Sequence, residues 1–554
     1  MIQRRAGFVN GAQGWRDSLA EKTTLYVVLA IGAGLRVAHY LSAGSLWHDE
    51  ACLALNIIER NFFELLRPLS YDQAAPVGYL WLEKGISLIF GSSEPALRAT
   101  SLLASLAVLA LLAALSERLF GRWCAIVAVA LVAVSPLWIY YAAEMKPYPL
   151  DAALALWVML SFEKLSRDGE PARAEWNRLF RKAGLALLLS QSIVVILLSI
   201  GGVLAFAEGG RYRRQALALM AMSLAVAGGL YLALYRIEAN GLFLKHYWNP
   251  NELSIWAPGL KIRLIDTIYN VFFRSMDSIS RYVHTAGVLL LATAGLVLAV
   301  VRSGLLRTAG LVVPFVLLLW ASSAGAYPLA PRTILFALPL LIMLVALPVA
   351  FVSEWASSWR AVWALAAGLL VLSFSVRGMQ LARAELSRSF PRSSKQAIAA
   401  YESSGNCDPI YVFASSVPVW EYYAGAKQRS PFPPADLLRD ITERNHKRVF
   451  AAAEAAPGAL TIQRDGCRAL IVGELPPEES QVLARYDWAA AEMRRIAGTG
   501  AKHIYVFGEL FAPTALSSLS KQAAKCGGAE KTLLGEGGRG YLGELVFPNG
   551  SSCH

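Results

Sequence analysis

Ten apolar runs constrain this chain more than any other feature. They sit at 24–42, 96–116, 123–142, 148–162, 183–207, 215–235, 283–301, 308–326, 333–352 and 361–376. A helix needs about 20 largely apolar residues to cross the roughly 30 Å of hydrocarbon in a bilayer. The chain therefore reads as an α-helical polytopic membrane protein. Composition agrees: 56% of its residues are hydrophobic and only 17% charged, against about 25% charged in soluble domains. The net charge of +12 does not point to nucleic acid, since no nucleic-acid-binding motif accompanies it. Lys and Arg in cytoplasmic loops account for it. The first run follows a basic N-terminus but has no small-residue cleavage site after it, so it reads as a retained helix.

Charge sets the topology. Arg4, Arg5, Arg16 and Lys22 place the N-terminus inside. Arg118 and Arg122 mark a turn, and Lys164, Arg167, Arg173, Arg178, Arg181 and Lys182 form a basic loop. Arg211, Arg213 and Arg214 form another, and Arg302, Arg307 and Arg360 mark two more. These loops are all inside only if an even number of spans separates each from the next. That requires two passes between 182 and 208, so the run 183–207, with Ser190-Gln191-Ser192 in it, is split into a re-entrant or short helical pair. The count is then about 11 transmembrane helices. Segments 43–94, 143–147, 237–282 and 327–332 fall outside, with everything after about 377. The stretches 50–66 and 77–83 in the first of these are amphipathic and suit the interface plane.

Beyond the spans the character changes. Strand-like runs at 410–413, 469–472 and 503–507 alternate with helix-like segments such as 394–403 and 478–485, which favours a small parallel α/β domain. The expected division is a transmembrane domain at 1–380, an α/β domain at 381–512 and a loosely ordered tail at 513–554. No glycine-rich phosphate loop is present, so the α/β domain is assigned no nucleotide. The six cysteines show no Cys-x-x-Cys spacing. Cys407, Cys467, Cys526 and Cys553 form two disulfides if the last third is extracytoplasmic, or stay as four thiols.

Several charged residues stand at helix ends. Asp49-Glu50 follows the first span, where it can serve as a base, hold a divalent metal, or simply begin a solvated helix. Glu144, Lys146 and Asp151 cluster with Tyr140, Tyr141 and Tyr148 around the start of the fourth run. An acid inside the apolar boundary is costly and usually functional, while tyrosines there are ordinary interfacial anchors. Arg332 opens a late apolar run, either as a phosphate-binding fork or as a snorkelling anchor. In the loop 237–282, Lys245, His246, Lys261, Arg263, Arg274 and Arg281 suit an anionic head group or a solvated surface. His48 and His246 are lone histidines. Together these ends suggest a site for an anionic, lipid-linked substrate arriving from the bilayer.

The motifs resemble the GT-C superfamily of membrane glycosyltransferases, in particular its family-39-like group, which includes protein O-mannosyltransferases and the aminoarabinose transferase acting on lipid A. The resemblance rests on Trp47-His48-Asp49-Glu50-Ala51, on Glu144-Met145-Lys146-Pro147-Tyr148 and on the segment from Pro331 to Pro339, and covers about residues 20–380. The chain has Lys146 where the family more often has Arg, and Thr333 where an aromatic is frequent. The resemblance implies transfer of a sugar from a polyprenyl-phosphate donor, with inversion, to an acceptor hydroxyl on a lipid, glycan or protein. Asp49 would be the general base. Glu50 and Glu144 would support the acceptor or a metal, with Asp49 and Glu144 as the metal's ligands. Lys146, Tyr148 and Arg332 would hold the donor phosphate. Carboxylates without clear His partners admit Mg²⁺ or Mn²⁺ at most.

The rival class is a transporter or lipid flippase, which would favour repeats and broken helices at mid-membrane. No repeat is evident, and the acids lie at helix ends. A sensor or scaffold would not need so many spans. An outer α/β domain and disulfides fit a bacterial inner membrane, with the N-terminus cytoplasmic and the C-terminal domain periplasmic.

Overall fold

The computed structural model describes residues 11–166, 173–235, 278–355, 394–403, 408–425, 460–464, 468–473, 488–508, 513–534 and 541–548. Twelve helices among the described residues build a bundle. They are α1 (Gly11–Ser42), α2 (His48–Glu59), α3 (Val77–Phe90), α4 (Glu94–Phe120), α5 (Arg122–Ala133) and α6 (Pro136–Tyr141). They continue with α7 (Tyr148–Leu165), α8 (Arg173–Leu189), α9 (Ile193–Ala205), α10 (Arg213–Leu230), α11 (Ser278–Ser323) and α12 (Leu338–Trp355). Four stretches are long and apolar enough to cross a membrane: Leu19–Ser42, Glu94–Phe120, Arg213–Tyr235 and Thr285–Ser323. Shorter apolar helices, Arg122–Ala133, Ile193–Ala205 and Leu338–Val352, pack among them. The chain is a multi-pass membrane protein.

The helix ends follow local chemistry. The run 123–142 breaks at Ser135-Pro136, because a residue before proline disfavours helical backbone. The carbonyls freed at the end of α5 do not go unpaired. Arg36 of α1, fully buried, donates from Nη2 to the Val132 carbonyl at 3.0 Å and from Nη1 to the Ala133 carbonyl at 3.2 Å. Gly32 lets the two helices meet, since a Cβ there would lie 2.8 Å from that of Ala133. The split expected in 183–207 is observed at Ser190–Ser192, where the Ser190 hydroxyl accepts the Ile193 N–H at 3.2 Å. However, α8 begins ten residues earlier than the apolar run. Trp176, Leu179 and Ala183 are buried at helical spacing while Arg178 and Arg181 face out, so most of the expected basic loop is an amphipathic helix. Gly304, at φ +83°, turns the chain between the two halves of α11. The last described span also starts late: turns fill 331–337 and α12 begins at Leu338, just before Pro339.

The C-terminal region is a six-stranded sheet with β1 (Ile410–Val412), β2 (Leu460–Arg464), β3 (Arg468–Val472), β4 (His503–Gly508), β5 (Ala529–Leu534) and β6 (Tyr541–Val546). Its order is β2-β3-β1-β4-β6-β5. Only the β1 pairs with β3 and β4 are parallel; the other pairings are antiparallel, so the expected parallel sheet is a mixed one. The tail expected at 513–554 instead supplies α15 (Pro513–Lys525), β5 and β6, and a boundary at 512 would cut the sheet. Burial of Leu519, Ala523, Tyr541, Leu542 and Leu545 repays the ordering of this Gly- and Ser-containing stretch. Residues alternate across β1. Tyr411 and Phe413 pack under α14 (Trp488–Ala497) and α15. Ile410 and Val412 face the other way, into a core shared with α13 (Ser394–Ser403), the helical turn Val417–Trp420, and α2 and α3 of the bundle. The α/β unit thus caps the bundle face that carries α2.

Cys526 is in a disulfide, while Cys52 and Cys124 are buried thiols. The run 361–376, residues 237–277 with five of the six basic residues of that loop, the helix-like stretch 478–485, and Cys407, Cys467 and Cys553 lie outside the described residues.

Candidate active site

Neighbours along a helix point about 100° apart and do not share a face. That separates Asp49 from Glu50 at the start of α2, where both favour the positive end of the helix dipole. Glu50 turns inward and is fully buried. Its Oε1 accepts from Arg98 Nε at 2.8 Å and its Oε2 from Arg98 Nη2 at 2.6 Å, a bidentate pair. The Met145 N–H adds a bond to Oε1 at 2.8 Å, and the Trp47 N–H one to Oε2 at 3.3 Å. Arg98 also donates to the Gly44 carbonyl at 2.7 Å. Glu50 therefore joins α2, α4 and the 142–147 loop, and its oxygens are occupied. Glu144, also buried, accepts a hydrogen bond from the Trp47 indole and anchors the residue that opens α2. The roles expected of these two acids at the reacting centre are not what their positions suit.

Asp49 points the other way. Its Oδ2 lies 3.0 Å from Lys146 Nζ and 3.9 Å from Arg332 Nη1, and its Oδ1 accepts from Gln73 Nε2 at 3.2 Å. Lys146 Nζ in turn donates to Gln73 Oε1 at 3.1 Å, closing a ring of three side chains. Each group arrives from a different element: Asp49 from α2, Gln73 from the loop before α3, Lys146 from the turn before α7 and Arg332 from the turns before α12. Thr333 holds that last turn. Its hydroxyl donates to the Pro328 carbonyl at 2.6 Å and accepts the Ala330 N–H at 3.0 Å, while Tyr327 donates to the Thr333 carbonyl at 2.7 Å. Tyr148, Tyr141 and Tyr140 form an edge-to-face series with ring centroids 5.3 and 5.1 Å apart. Tyr148 is within electrostatic reach of Arg332, Lys146 and Asp49.

One carboxylate thus faces two cations. Burial by itself would push the Asp49 carboxyl up, but Lys146 and Arg332 outweigh it and hold it below the usual aspartate range. Burial would likewise lower Lys146, and Asp49 outweighs that and raises it. Both signs describe a charged Asp49–Lys146 pair with a second cation, Arg332, beside it. The same arrangement does not fit a divalent cation on Asp49 and Glu144. The charge a metal would carry is already supplied by Lys146 and Arg332, and among the described residues no group of three or more His, Cys, Asp or Glu side chains is placed to hold one. Sequence reasoning singled out Asp49, Lys146, Tyr148 and Arg332, and the fold brings them together. It missed Gln73, for which no motif gives a signal, and Arg98, whose signal was an arginine one turn into an apolar helix.

Residues 74–234 match the family described as dolichyl-phosphate-mannose-protein mannosyltransferase, a segment that includes Lys146 but neither Asp49 nor Arg332. Among solved structures, ArnT from Cupriavidus metallidurans bound to undecaprenyl phosphate is similar with a TM-score of 0.53 and 13% identity, over 94% of this chain and 97% of that one. The archaeal oligosaccharyltransferase AglB from Archaeoglobus fulgidus, in complex with an inhibitory peptide and a dolichol-phosphate, is similar with a TM-score of 0.47 and 13% identity, over 74% of this chain. That match spans 64% of the AglB chain, less than two thirds of its length. Comparison with curated proteins gives no match. Family match and fold point the same way: residues 74–234 resemble a mannosyltransferase family, and the chain as a whole shares the fold of ArnT.

Proposed function

We propose that the chain moves a sugar from a polyprenyl-phosphate donor to an acceptor hydroxyl at the extracytoplasmic membrane face, with Asp49 as general base and inversion at the anomeric carbon. The observation that carries this reading is the Asp49 carboxylate facing Lys146 at 3.0 Å and Arg332 at 3.9 Å. A donor phosphate seated between those cations, with Tyr148 beside it, draws them away from Asp49. Asp49 then loses the charges that hold its proton affinity down and becomes a better base when the donor is in place. The acceptor hydroxyl gives its proton to Asp49 and its oxygen bonds to the anomeric carbon from the opposite side. The bond from that carbon to the phosphate oxygen breaks, and polyprenyl phosphate leaves with an extra negative charge that Lys146 and Arg332 neutralise. No metal is needed for these steps. The acceptor is a lipid, glycan or protein.

ArnT, which shares the fold, was solved with undecaprenyl phosphate, and an undecaprenyl carrier suits a bacterial inner membrane with the N-terminus cytoplasmic and the α/β unit periplasmic. The test is mass spectrometry of lipids retained by the detergent-purified protein, beside Arg332→Ala. A polyprenyl phosphate or its sugar conjugate, held by the wild type and lost from the variant, is the expected result. Bulk phospholipid alone in both would overturn the donor assignment.

A further inference from the structure

Tyr71 and Asp72 are the two non-glycine residues with positive φ among the described residues, at +63° and +52°. Left-handed backbone costs little for an Asp but is strained for a bulky aromatic. Such a conformation persists where the surroundings fix it. Here they do so from both sides. On the bundle side the turn delivers Gln73, whose Nε2 donates to the Tyr71 carbonyl at 3.3 Å and to Asp49 at 3.2 Å. On the other side the Tyr71 hydroxyl, in a ring almost wholly buried, donates to Glu421 of the α/β unit, 350 residues away in sequence. Glu421 follows the helical turn Val417–Trp420, which packs on α2 itself. Further bonds fix the seam nearby. His48, next to Asp49, is 2.6 Å through Nδ1 from the Ser415 carbonyl, and the Leu46 N–H donates to the Tyr423 hydroxyl at 2.7 Å.

We propose that the α/β unit is a positioning element of the catalytic centre: through the Glu421–Tyr71 hydrogen bond it holds the strained 71–72 turn, and so sets Gln73 against Asp49 and Lys146. Tyr71, Gln73 and Glu421 are positioning residues and touch no substrate. This rests on the reading that Lys146 and Arg332 receive the donor phosphate, because Gln73 fixes where Lys146 stands.

The full-length protein in detergent is titrated with undecaprenyl phosphate, and its melting temperature is followed in parallel. Tyr71→Phe keeps the ring and removes the hydroxyl; its affinity is expected to fall about fivefold with little change in melting temperature. Glu421→Gln keeps an acceptor oxygen and is expected to bind within about twofold of wild type. A melting temperature that drops while affinity stays at the wild-type level would overturn the inference and mark the contact as docking alone. Arg332→Ala separates the two readings. If the wild type fails to bind, or Arg332→Ala binds as well as it does, the donor reading fails and takes this one with it. If Arg332→Ala loses binding and Tyr71→Phe does not, only the positioning role is lost.

Discussion

Two ion clusters start from consecutive residues of α2, and they are built on opposite principles. Around Glu50 every charge is matched: one carboxylate, one guanidinium, two bonds under 3 Å between them, and no contact with solvent. Around Asp49 two cations face one side chain, the second stands back at 3.9 Å, and the carboxylate keeps 24% of its side chain exposed. A buried, closed pair gains little from the ions themselves but is severely damaged when one partner is removed. An open, partly exposed cluster is one that a ligand can reach. The first arrangement suits a scaffold and the second suits the proposed site, although one peptide bond separates their carboxylates.

The largest expected effect falls on the open cluster. Asp49→Asn is expected to lower sugar transfer by about 10²–10⁴-fold while the thermal unfolding midpoint in detergent stays close to wild type. Wild-type transfer in that variant, with transfer lost in a folded Glu50→Gln, would invert the comparison. The closed cluster is broken by Arg98→Met, which leaves Glu50 buried and uncompensated. A destabilisation of about 3–5 kcal/mol is expected, read as loss of folded protein and a lower melting temperature, with recovery in the double variant Arg98→Met/Glu50→Leu.

Next in size is a pH effect. Lys146 and Arg332 hold the Asp49 carboxyl below the usual range against burial, which pushes it up. Lys146→Met removes the nearer cation, so the charged form loses support and the carboxyl must rise. The acid limb of the pH–rate profile for transfer is expected to move to higher pH, and an unmoved limb would remove Asp49 from the role of base. The smallest effect is predicted at Glu83 of α3, which burial pushes up to about 7. Between the ordinary glutamate value and that point the folded chain holds a proton the unfolded chain has lost, so stability falls as pH rises through the window. Glu83→Gln should flatten that fall, raising the melting temperature at pH 7.5 more than at pH 5.

The longest apolar helices were legible because each is written in about 20 consecutive residues, and Asp49, Lys146 and Arg332 stood out because each is a charge at the edge of an apolar run. What it could not carry is direction. Asp49 and Glu50 look like one acidic pair in a line of text, and only the 100° step of a helix sends them to different partners. Arg98 is 48 residues from Glu50, and Glu421 is 350 residues from Tyr71, so neither pairing has a local signature. The strands at 529–546 were hidden by Gly535, Gly537, Gly538, Gly540 and Gly543, since pairing in the sheet and the burial of β6 decide them and not propensity.

The seam between α2 and the α/β unit also has a consequence in time. A chain leaving the ribosome makes Asp49, Gln73 and Lys146 early and Glu421 only after most of the helices have been threaded. Contacts this distant in sequence form late. A half-made chain, already in the membrane and already holding its acid and its cations, would lack the piece that sets them in register. On this reading the proposed site is silent until the α/β unit docks on α2.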